Sequence, residues 1–287
     1  MVQFDRYAVF GYPIAHSKSP RIHRLFAAQT HQANFVYSAQ EVPADRFIAS
    51  VDDFFKSGGK GLNCTIPLKQ PAWQYARTHS ERARLSKAVN TLMLQEDGTV
   101  YGDNTDGIGL LNDLTCNLKL RLADQHLLLL GAGGAARGII APLLQQQPAR
   151  LVIANRNHDK AAALAAEFKA YGAITARRFE ELQGQRFEII LNATAAGLQG
   201  ANLPLPDDIL TDSACCYDLA YANEPTPFVC WGQQRNANLS VDGLGMLVEQ
   251  AAEAFYLWRG VRPDSRSVID TLHRERELVQ HDQELDA

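Results

Sequence analysis

The stretch LLLLGAGGAA, residues 127–136, decides the fold class predicted for this chain of 287 residues. Four leucines in a row are typical of a strand buried in a parallel sheet. The G-x-G-x-x-[G/A] pattern of dinucleotide-binding turns follows directly, at Gly131, Gly133 and Ala136. Residues 135–146 are expected to form the next helix and residues 151–154 the next strand. This order predicts a Rossmann-type βαβ unit, in which a pyrophosphate binds at the N-terminus of the helix.

The same alternation of short apolar runs and amphipathic runs extends through the rest of the chain, which predicts an α/β protein with mainly parallel sheets. The length suits two domains of ordinary size. Residues Asp97-Gly98 between two apolar runs predict a hairpin, and we place a domain boundary just beyond it. We therefore expect a first α/β domain over residues 1–106, a Rossmann-type domain over 107–243, and helices over 244–287 that return to the first domain.

Composition excludes several classes of function. The chain has 28 Lys and Arg against 32 Asp and Glu, a net charge of -4, so no overall field attracts nucleic acid or an anionic membrane. Its 5 cysteines are an odd number without C-x-x-C spacing, which favours reduced thiols in a cytoplasmic protein. We expect no export signal, no membrane span and no metal site, since the histidines lack metal-ligand spacing.

The end of the second Rossmann strand indicates which dinucleotide is bound. An NAD site usually carries an acidic residue about 20 residues past the glycines, whereas residues 153–157 read IANRN, without a carboxylate. Arg156, with Lys160 one helical turn later, would place positive charge where the 2′-phosphate of NADP lies. Arginine and lysine are more often plain surface residues. The glycine turn upstream nevertheless favours NADP over NAD.

Two polar motifs in the first domain suit hydride transfer: NCTIPLK at residues 63–69 and DNTDG at residues 103–107. An alcohol that loses a hydride must also lose its hydroxyl proton, and Lys69 is the candidate base. A lysine with an ordinary pKa of about 10.4 is too basic, but desolvation lowers that pKa, while a carboxylate opposes the shift and holds the ammonium in place. Asp106 is the candidate carboxylate.

Taken singly, Lys69 could be a solvent-facing residue and Asp106 the N-cap of a helix. Uncharged hydrogen-bonding residues cluster beside both of them in the sequence. They are Asn63, Thr65, Asn90, Thr91, Asn104 and Thr105. Such a set is typical of a site for a substrate with several hydroxyl groups.

Together these motifs resemble the shikimate dehydrogenase family, whose members reduce 3-dehydroshikimate to shikimate with NADPH in aromatic amino-acid biosynthesis. The resemblance spans nearly the whole chain. Besides the glycine turn, it rests on residues 11–20 (GYPIAHSKSP), 63–69, 88–91 (AVNT), 102–107 and 242–247 (DGLGML). It implies that the N-terminal domain binds the substrate and the Rossmann domain binds NADP, and we leave open a monomer or a homodimer.

The resemblance also implies a role for each matching residue. The substrate carboxylate would be held by Ser17, Ser19 and Tyr221. The ring hydroxyls would be bound by Asn63, Thr65, Asn90, Asp106 and Gln250, and the catalytic pair would be Lys69 and Asp106. The pyrophosphate would meet the turn formed by Gly131, Ala132, Gly133, Gly134 and Ala135. The rest of NADP would be contacted by Asn155, Arg156, Lys160, Thr194, Gly243 and Met246.

Two departures from the family pattern bear on the alternatives. Asn157 stands where a threonine hydroxyl usually meets the phosphate, and residues 195–196 lack a common serine. A quinate/shikimate dehydrogenase that accepts NAD is one alternative, although Arg156 without an acidic neighbour argues against it. A non-catalytic ligand sensor is another, but such a protein should have lost the pair of Lys69 and Asp106.

Overall fold

The chain forms two compact α/β units in the computed structural model, which describes residues 4–194 and 203–285. The first unit comprises Met1–Leu110 and Leu247–Thr271, and the second comprises Leu111–Met246 and Leu272–Ala287. Among the described residues, each unit is built around a six-stranded sheet. The predicted fold class, two α/β domains of which one is Rossmann-type, is confirmed.

The first sheet is mixed, with the strand order β2-β1-β3-β5-β6-β4. Its strands are β1 (Asp5–Gly11), β2 (Phe35–Glu41), β3 (Gly59–Cys64), β4 (Thr78–His79), β5 (Thr91–Leu94) and β6 (Val100–Asp103). β1 runs parallel to β2 and β3, whereas β5 is antiparallel to both β3 and β6. The hairpin predicted around Asp97-Gly98 is confirmed, and Gly98 adopts the positive φ of +80° that its turn requires.

The helices of the first unit follow the strands closely. They are α1 (Ser19–Gln29), α2 (Phe47–Lys56), α3 (Lys69–Tyr75), α4 (Glu81–Ser86) and α5 (Asp106–Asn112), with a 3-10 turn at Ala44–Arg46 before α2. The apolar face of α2 is buried through Phe47, Val51 and Phe54, which pack with Phe10 and Leu62 of the sheet. This core supports the strand ends from which the polar motifs emerge.

The second sheet is parallel throughout, in the order β12-β11-β10-β7-β8-β9. Its strands are β7 (His126–Leu130), β8 (Arg150–Ala154), β9 (Ile174–Arg177), β10 (Phe187–Asn192), β11 (Leu210–Asp218) and β12 (Leu239–Val241), and its helices are α6 (Gly134–Gln145), α7 (His158–Phe168) and α8 (Pro227–Gln234). The order reverses at β7, which lies between β8 and β10. Ligands of such sheets bind outside the carboxyl ends of the strands at this reversal.

Three helices cross the division between the units. They are α5, α9 (Leu244–Arg259) and α10 (Ser265–Leu285). α5 continues into a π-helical segment, Asp113–Asn117. We assigned all of residues 244–287 to the first domain, whereas the structure groups those from Leu272 onward with the second unit. There Arg276 forms an ion pair with Asp242 at 2.9 Å between Nη1 and Oδ2, a long-range partner that helical periodicity does not reveal. The domain boundaries drawn from the sequence stay a prediction.

Within the described ranges, none of the helices is both long and apolar enough to cross a membrane.

Candidate active site

Lys69 and Asp106 lie side by side in the first unit. Lys69 is the first residue of α3 and Asp106 the first residue of α5. The Nζ atom of Lys69 lies 2.6 Å from Oδ2 of Asp106, and the two side chains are 28% and 12% exposed. The pair predicted from the sequence therefore exists as a close, partly buried ion pair that still reaches solvent.

Strand register explains why two motifs so far apart in sequence meet here. Asn63 of β3 pairs with Thr91 of β5, and Thr91 in turn pairs with Asp103 of β6. Asn63 near the end of β3, Thr91 at the start of β5 and Asp103 at the end of β6 therefore lie at one level of the sheet. The loops after β3 and β6 carry Lys69 and Asp106 toward each other.

Asn90 fixes the carboxylate of Asp106 from the side opposite Lys69. Its Nδ2 donates to Oδ1 of Asp106 at 2.9 Å and to Oγ1 of Thr105 at 2.9 Å. Its Oδ1 accepts the backbone N–H of Thr105 at 2.8 Å. The same Nδ2 lies 3.3 Å from Oε1 of Gln250 on α9, so this glutamine joins the cluster as predicted. Asp106 is thus held by a cation on one oxygen and an amide on the other.

Close packing at a glycine brings Gln250 to this cluster. A Cβ added at Gly109 in α5 would lie 2.7 Å from the backbone N of Gln250. A larger residue at position 109 would push α9 away from Asn90.

Asn63 is held just as firmly, by residues on both sides. Its Nδ2 donates to the carbonyl of Asn90 at 3.1 Å and to Oγ1 of Thr91 at 3.0 Å. Its Oδ1 accepts the hydroxyl of Tyr37 at 2.7 Å. Sequence reasoning missed Tyr37, because it stands in β2 outside every motif and only the sheet brings it to Asn63.

Asp103 and Arg82 form a second ion pair that sequence reasoning also missed. Arg82 donates from Nε to Oδ1 of Asp103 at 2.7 Å and from Nη2 to Oδ2 at 2.6 Å, while Asp103 is 2% exposed. Arg82 also meets Glu253 of α9 at 3.0 Å. Burial opposes the charge of Arg82, but the two carboxylates outweigh it and raise the pKa of the guanidinium. The aspartate that opens the DNTDG motif therefore anchors its loop, whereas Asp106 pairs with Lys69.

The loops after β1 and β3 place the remaining predicted substrate residues of the first unit. A Cβ added at Gly11 would overlap the side chain of Thr65, so the two loops touch at that point. Ser17 lies in the loop before α1, where its Oγ accepts the backbone N–H of the buried Ser19 at 3.3 Å. Burial raises the pKa of the nearby Cys64 thiol, which keeps it neutral and unreactive.

The glycine turn of the second unit has the shape needed to receive a phosphate group. Gly131 has a φ of +108°, and a Cβ added there would lie 3.1 Å from the carbonyl of Ala193. Apart from neighbouring residues of the turn and helix, no described atom lies within 4 Å of a Cβ added at Gly133 or at Gly134, the first residue of α6. As far as residues 4–194 and 203–285 are concerned, the space before this helix is open, and the N–H groups of its first turn can bind an anion. Ala132 and Ala135 belong to the same turn.

The residues after β8, which we predict to bind the 2′-phosphate of NADP, lie at the surface. Arg156 is exposed and has no ion-pair partner in the described part of the chain. Asn155 donates from Nδ2 to the carbonyl of Asn157 at 2.8 Å. Asn157 caps α7, since its Oδ1 accepts the N–H of Lys160 at 3.2 Å. Its oxygen is engaged in capping, and the Nδ2 group is the part that could reach a phosphate.

The other predicted cofactor residues lie just after β10, between β12 and α9, or in the first turn of α9. Thr194 donates from Oγ1 to Oδ1 of Asn192 at 2.7 Å. A Cβ added at Gly243 would overlap the carbonyl of Leu219. The N–H of Met246 donates to the hydroxyl of Tyr217 at 3.2 Å. Residues 195–196, which lack the serine common in the family, lie outside the described residues.

Tyr221 also belongs to the second unit, and burial, with Asp242 adding to it, raises the pKa of its hydroxyl. It is therefore a neutral hydrogen-bonding group. Within residues 4–194 and 203–285, no cluster of three or more His, Cys, Asp or Glu residues could hold a metal ion.

Comparison with known proteins agrees with this geometry. Residues 9–92 match the shikimate dehydrogenase substrate-binding domain, residues 114–199 the shikimate/quinate 5-dehydrogenase family, and residues 243–273 the shikimate 5′-dehydrogenase C-terminal domain. A shikimate dehydrogenase (NADP(+)) of Methylococcus capsulatus is 61% identical over 276 residues, covering 96% of this chain and 99% of that protein. The chain belongs to the shikimate dehydrogenase family. The family expected from the sequence motifs is confirmed.

Two solved structures are similar to almost the whole length of this chain. The Ael1 enzyme of Pseudomonas putida has a TM-score of 0.88 and 48% identity, covering 93% of this chain and 98% of that one. The shikimate 5-dehydrogenase of Thermus thermophilus, in complex with NADP(H) and shikimate, has a TM-score of 0.82 and 32% identity, covering 94% and 99%.

Proposed function

We propose that this protein is an NADP-dependent shikimate dehydrogenase that catalyses the reversible reduction of 3-dehydroshikimate to shikimate in aromatic amino-acid biosynthesis. The ion pair of Lys69 with Asp106 is the observation that carries the proposal. It lies among neutral hydrogen-bonding side chains, in a chain 61% identical to a shikimate dehydrogenase (NADP(+)).

Reduction of a ketone to an alcohol adds a hydride to carbon and a proton to oxygen. NADPH supplies the hydride when it is bound. Lys69 donates the proton to the substrate oxygen during reduction and removes it during oxidation. Asp106 accepts a hydrogen bond from Lys69 and, with its other oxygen, from Asn90, which fixes the direction in which Nζ points.

Hydrogen-bonding side chains suit the hydroxyl groups of this substrate, which can both donate and accept. We assign the ring hydroxyls to Asn63, Thr65, Asn90, Asp106 and Gln250. We assign the carboxylate to Ser17, Ser19 and Tyr221. A chain of net charge -4 can bind an anion in this way because hydroxyl donors act over hydrogen-bond distance only.

The second unit would hold NADP through its backbone and a few polar groups. The pyrophosphate would lie on the turn from Gly131 to Ala135, in the open space before α6. The 2′-phosphate would be bound by the exposed Arg156, with Asn155 and Lys160 beside it, and Thr194, Gly243 and Met246 would contact the rest of the cofactor. The exposed Arg156, which has no ion-pair partner among the described residues, supports NADP over NAD.

A cytoplasmic location and a monomeric or homodimeric state are further proposals, as is the absence of nucleic-acid binding. All five cysteines are free, and the chain has no excess of basic residues. Light scattering of the purified protein measures the oligomeric state directly.

The deciding experiment measures initial rates of nicotinamide reduction for shikimate and quinate, each with NADP and with NAD, at matched concentrations. We expect a strong rate for shikimate with NADP and weak rates in the other three combinations. Comparable rates with quinate or NAD would assign the protein to the quinate/shikimate dehydrogenases. Binding of shikimate without turnover in any combination would support the ligand sensor and overturn the proposal.

A further inference from the structure

A buried aromatic cluster stands behind the proposed substrate residues of the first unit. His23 of α1 is 0% exposed, and its ring stacks on Tyr37 with 4.1 Å between centroids and 13° between planes. Phe35 stacks on the same histidine at 6.0 Å, and Phe255 of α9 at 6.2 Å. No catalytic step described above uses these residues. The cluster nevertheless fixes the plane of the Tyr37 ring and therefore the position of its hydroxyl.

The Tyr37 hydroxyl points at a proposed substrate residue. It donates to Oδ1 of Asn63 at 2.7 Å. Tyr37 pairs with Tyr7 of β1, and Asn63 pairs with Val9 two residues further along the same strand. Side chains two residues apart on a strand share a face, so the tyrosine reaches across β1 to the asparagine. Burial raises the pKa of this hydroxyl well above its usual range, so it remains a donor at any working pH.

The Tyr37 hydroxyl determines which way the Asn63 amide faces. Because Oδ1 accepts from Tyr37, Nδ2 is turned toward the carbonyl of Asn90 and Oγ1 of Thr91, and these two acceptors use both of its hydrogens. The amide then has no hydrogen left to donate, so any further bond it makes, whether with the neighbouring His23 or with a ligand, is accepted at Oδ1. A substrate hydroxyl that meets Asn63 must then act as the donor.

We propose that Tyr37 is a positioning residue that orients the Asn63 amide so that Asn63 accepts, rather than donates, a hydrogen bond from a substrate hydroxyl. The inference rests on the proposed function, since it concerns the binding of shikimate. Tyr37 touches neither the proton that is transferred nor the cofactor turn. Its loss therefore weakens shikimate binding and leaves proton transfer by Lys69 intact.

The variant Tyr37→Phe tests this inference. Phenylalanine keeps the ring stacked on His23 and removes only the hydroxyl. A neutral hydrogen bond contributes about 0.5–1.5 kcal/mol, so we expect the Kd for shikimate, measured by calorimetry, and the KM for shikimate to rise about 3- to 10-fold. The kcat should stay within about twofold, the KM for NADP should not change, and the thermal midpoint should stay within a few degrees.

Tyr75→Phe is the matched control. The hydroxyl of Tyr75 donates to Oδ1 of Asp52 at 2.7 Å, the same bond length in the same unit, but to a residue with no proposed role. A rise in Kd for shikimate in Tyr37→Phe but not in Tyr75→Phe supports the inference. Equal Kd values for Tyr37→Phe and wild type overturn it and leave the proposed function standing.

A double-mutant cycle separates orientation of Asn63 from a general effect on the pocket. If Tyr37 acts through Asn63, then Tyr37→Phe should raise the Kd for shikimate little or not at all in an Asn63→Ala background. A full additive rise in that background overturns the inference. A wild-type protein that binds no shikimate overturns the proposed function and this inference together.

Discussion

The two candidate binding regions of this molecule are built in opposite ways. Around Lys69 and Asp106, polar side chains are hydrogen-bonded to one another, and many of those that position the pair are buried. At the glycine turn and at Arg156, the ligand-facing surface is backbone and an exposed cation, with open space in front. We expect the first region to bind its ligand through the orientation of side chains, and the second through the conformation of its backbone.

This difference follows from the sheets. In the mixed sheet, antiparallel pairing of β5 with β3 and β6 places Asn63, Thr91 and Asp103 in one row, so that loops from neighbouring strands exchange hydrogen bonds. In the parallel sheet, each strand leads into a helix, and the first turn of that helix supplies unpaired N–H groups. Substitutions in the first region should therefore affect proton transfer and substrate binding, and those in the second should affect cofactor binding.

The largest expected effect comes from Lys69→Ala. Loss of the proton-transfer group should lower kcat by about two to four orders of magnitude, with a much smaller change in KM. Steady-state rates with shikimate and NADP measure both constants. Lys60→Ala, which removes an exposed lysine from β3 in the same unit, should leave kcat unchanged. A near-normal kcat for Lys69→Ala would end the assignment of Lys69 as the catalytic acid and base.

Arg156→Ala should have the next largest effect, confined to the cofactor. A charge-assisted hydrogen bond contributes about 1.5–3 kcal/mol, so the KM for NADP should rise about 10- to 100-fold while that for NAD changes little. Arg121→Ala, at an exposed ion pair with Asp124 in the same unit, is the control. Equal increases for NADP and NAD would argue against a contact between Arg156 and the 2′-phosphate.

Gly133→Ala should weaken cofactor binding at the turn with little change in the stability of the fold. Gly133 has φ -92° and ψ -170°, which alanine adopts readily, so the free energy of unfolding should change by no more than about 1 kcal/mol. The added methyl group would project into the space proposed for the pyrophosphate and should raise the KM for NADP about 10-fold, as expected for an overpacked contact. Calorimetric binding of NADPH measures the loss without turnover.

Gly131→Ala is the contrasting variant. Its φ of +108° and the carbonyl of Ala193 make alanine strained there, so this variant should lose stability as well as cofactor affinity. Similar thermal midpoints for the alanine variants at 131 and 133 would contradict this account of the turn.

The smallest effect concerns acid stability of the first unit. Burial lowers the pKa of His23 to about 3, whereas an unfolded histidine has a pKa of about 6.5. Between these values the unfolded chain binds a proton that the folded chain does not. The stability that His23 contributes is therefore present above pH 6.5 and is lost as the pH falls, by at most about 1.4 kcal/mol per pH unit.

Urea unfolding at pH 7 and pH 5 measures this slope. His23→Phe should reduce it, and His273→Gln, at an exposed position in α10, should not. An unchanged slope in His23→Phe would show that other groups dominate the acid response.

Much of the fold was predictable because its signals are local. The run LLLLGAGGAA specifies strand, turn and helix within one segment, and the Asp97-Gly98 hairpin needs only neighbouring residues. The two-residue strand β4 and the π-helical segment after α5 were not predicted, since neither has a periodicity of its own. The ion pair of Arg276 with Asp242 joins two residues far apart in sequence and was not predicted either.

The sequence by itself determined the family, the α/β class and the candidate pair of Lys69 and Asp106, because motifs of several residues record these properties directly. Only the tertiary structure decided which polar side chains form hydrogen bonds or ion pairs with Lys69 and Asp106, and which form them with one another. Asp103 and Asp106 stand three residues apart in one motif, yet Arg82 engages the first and Lys69 the second. Tyr37 meets Asn63 across a strand. Hydrogen bonds depend on distances of a few ångströms and on angle, and these are set by strand register and packing rather than by separation along the chain.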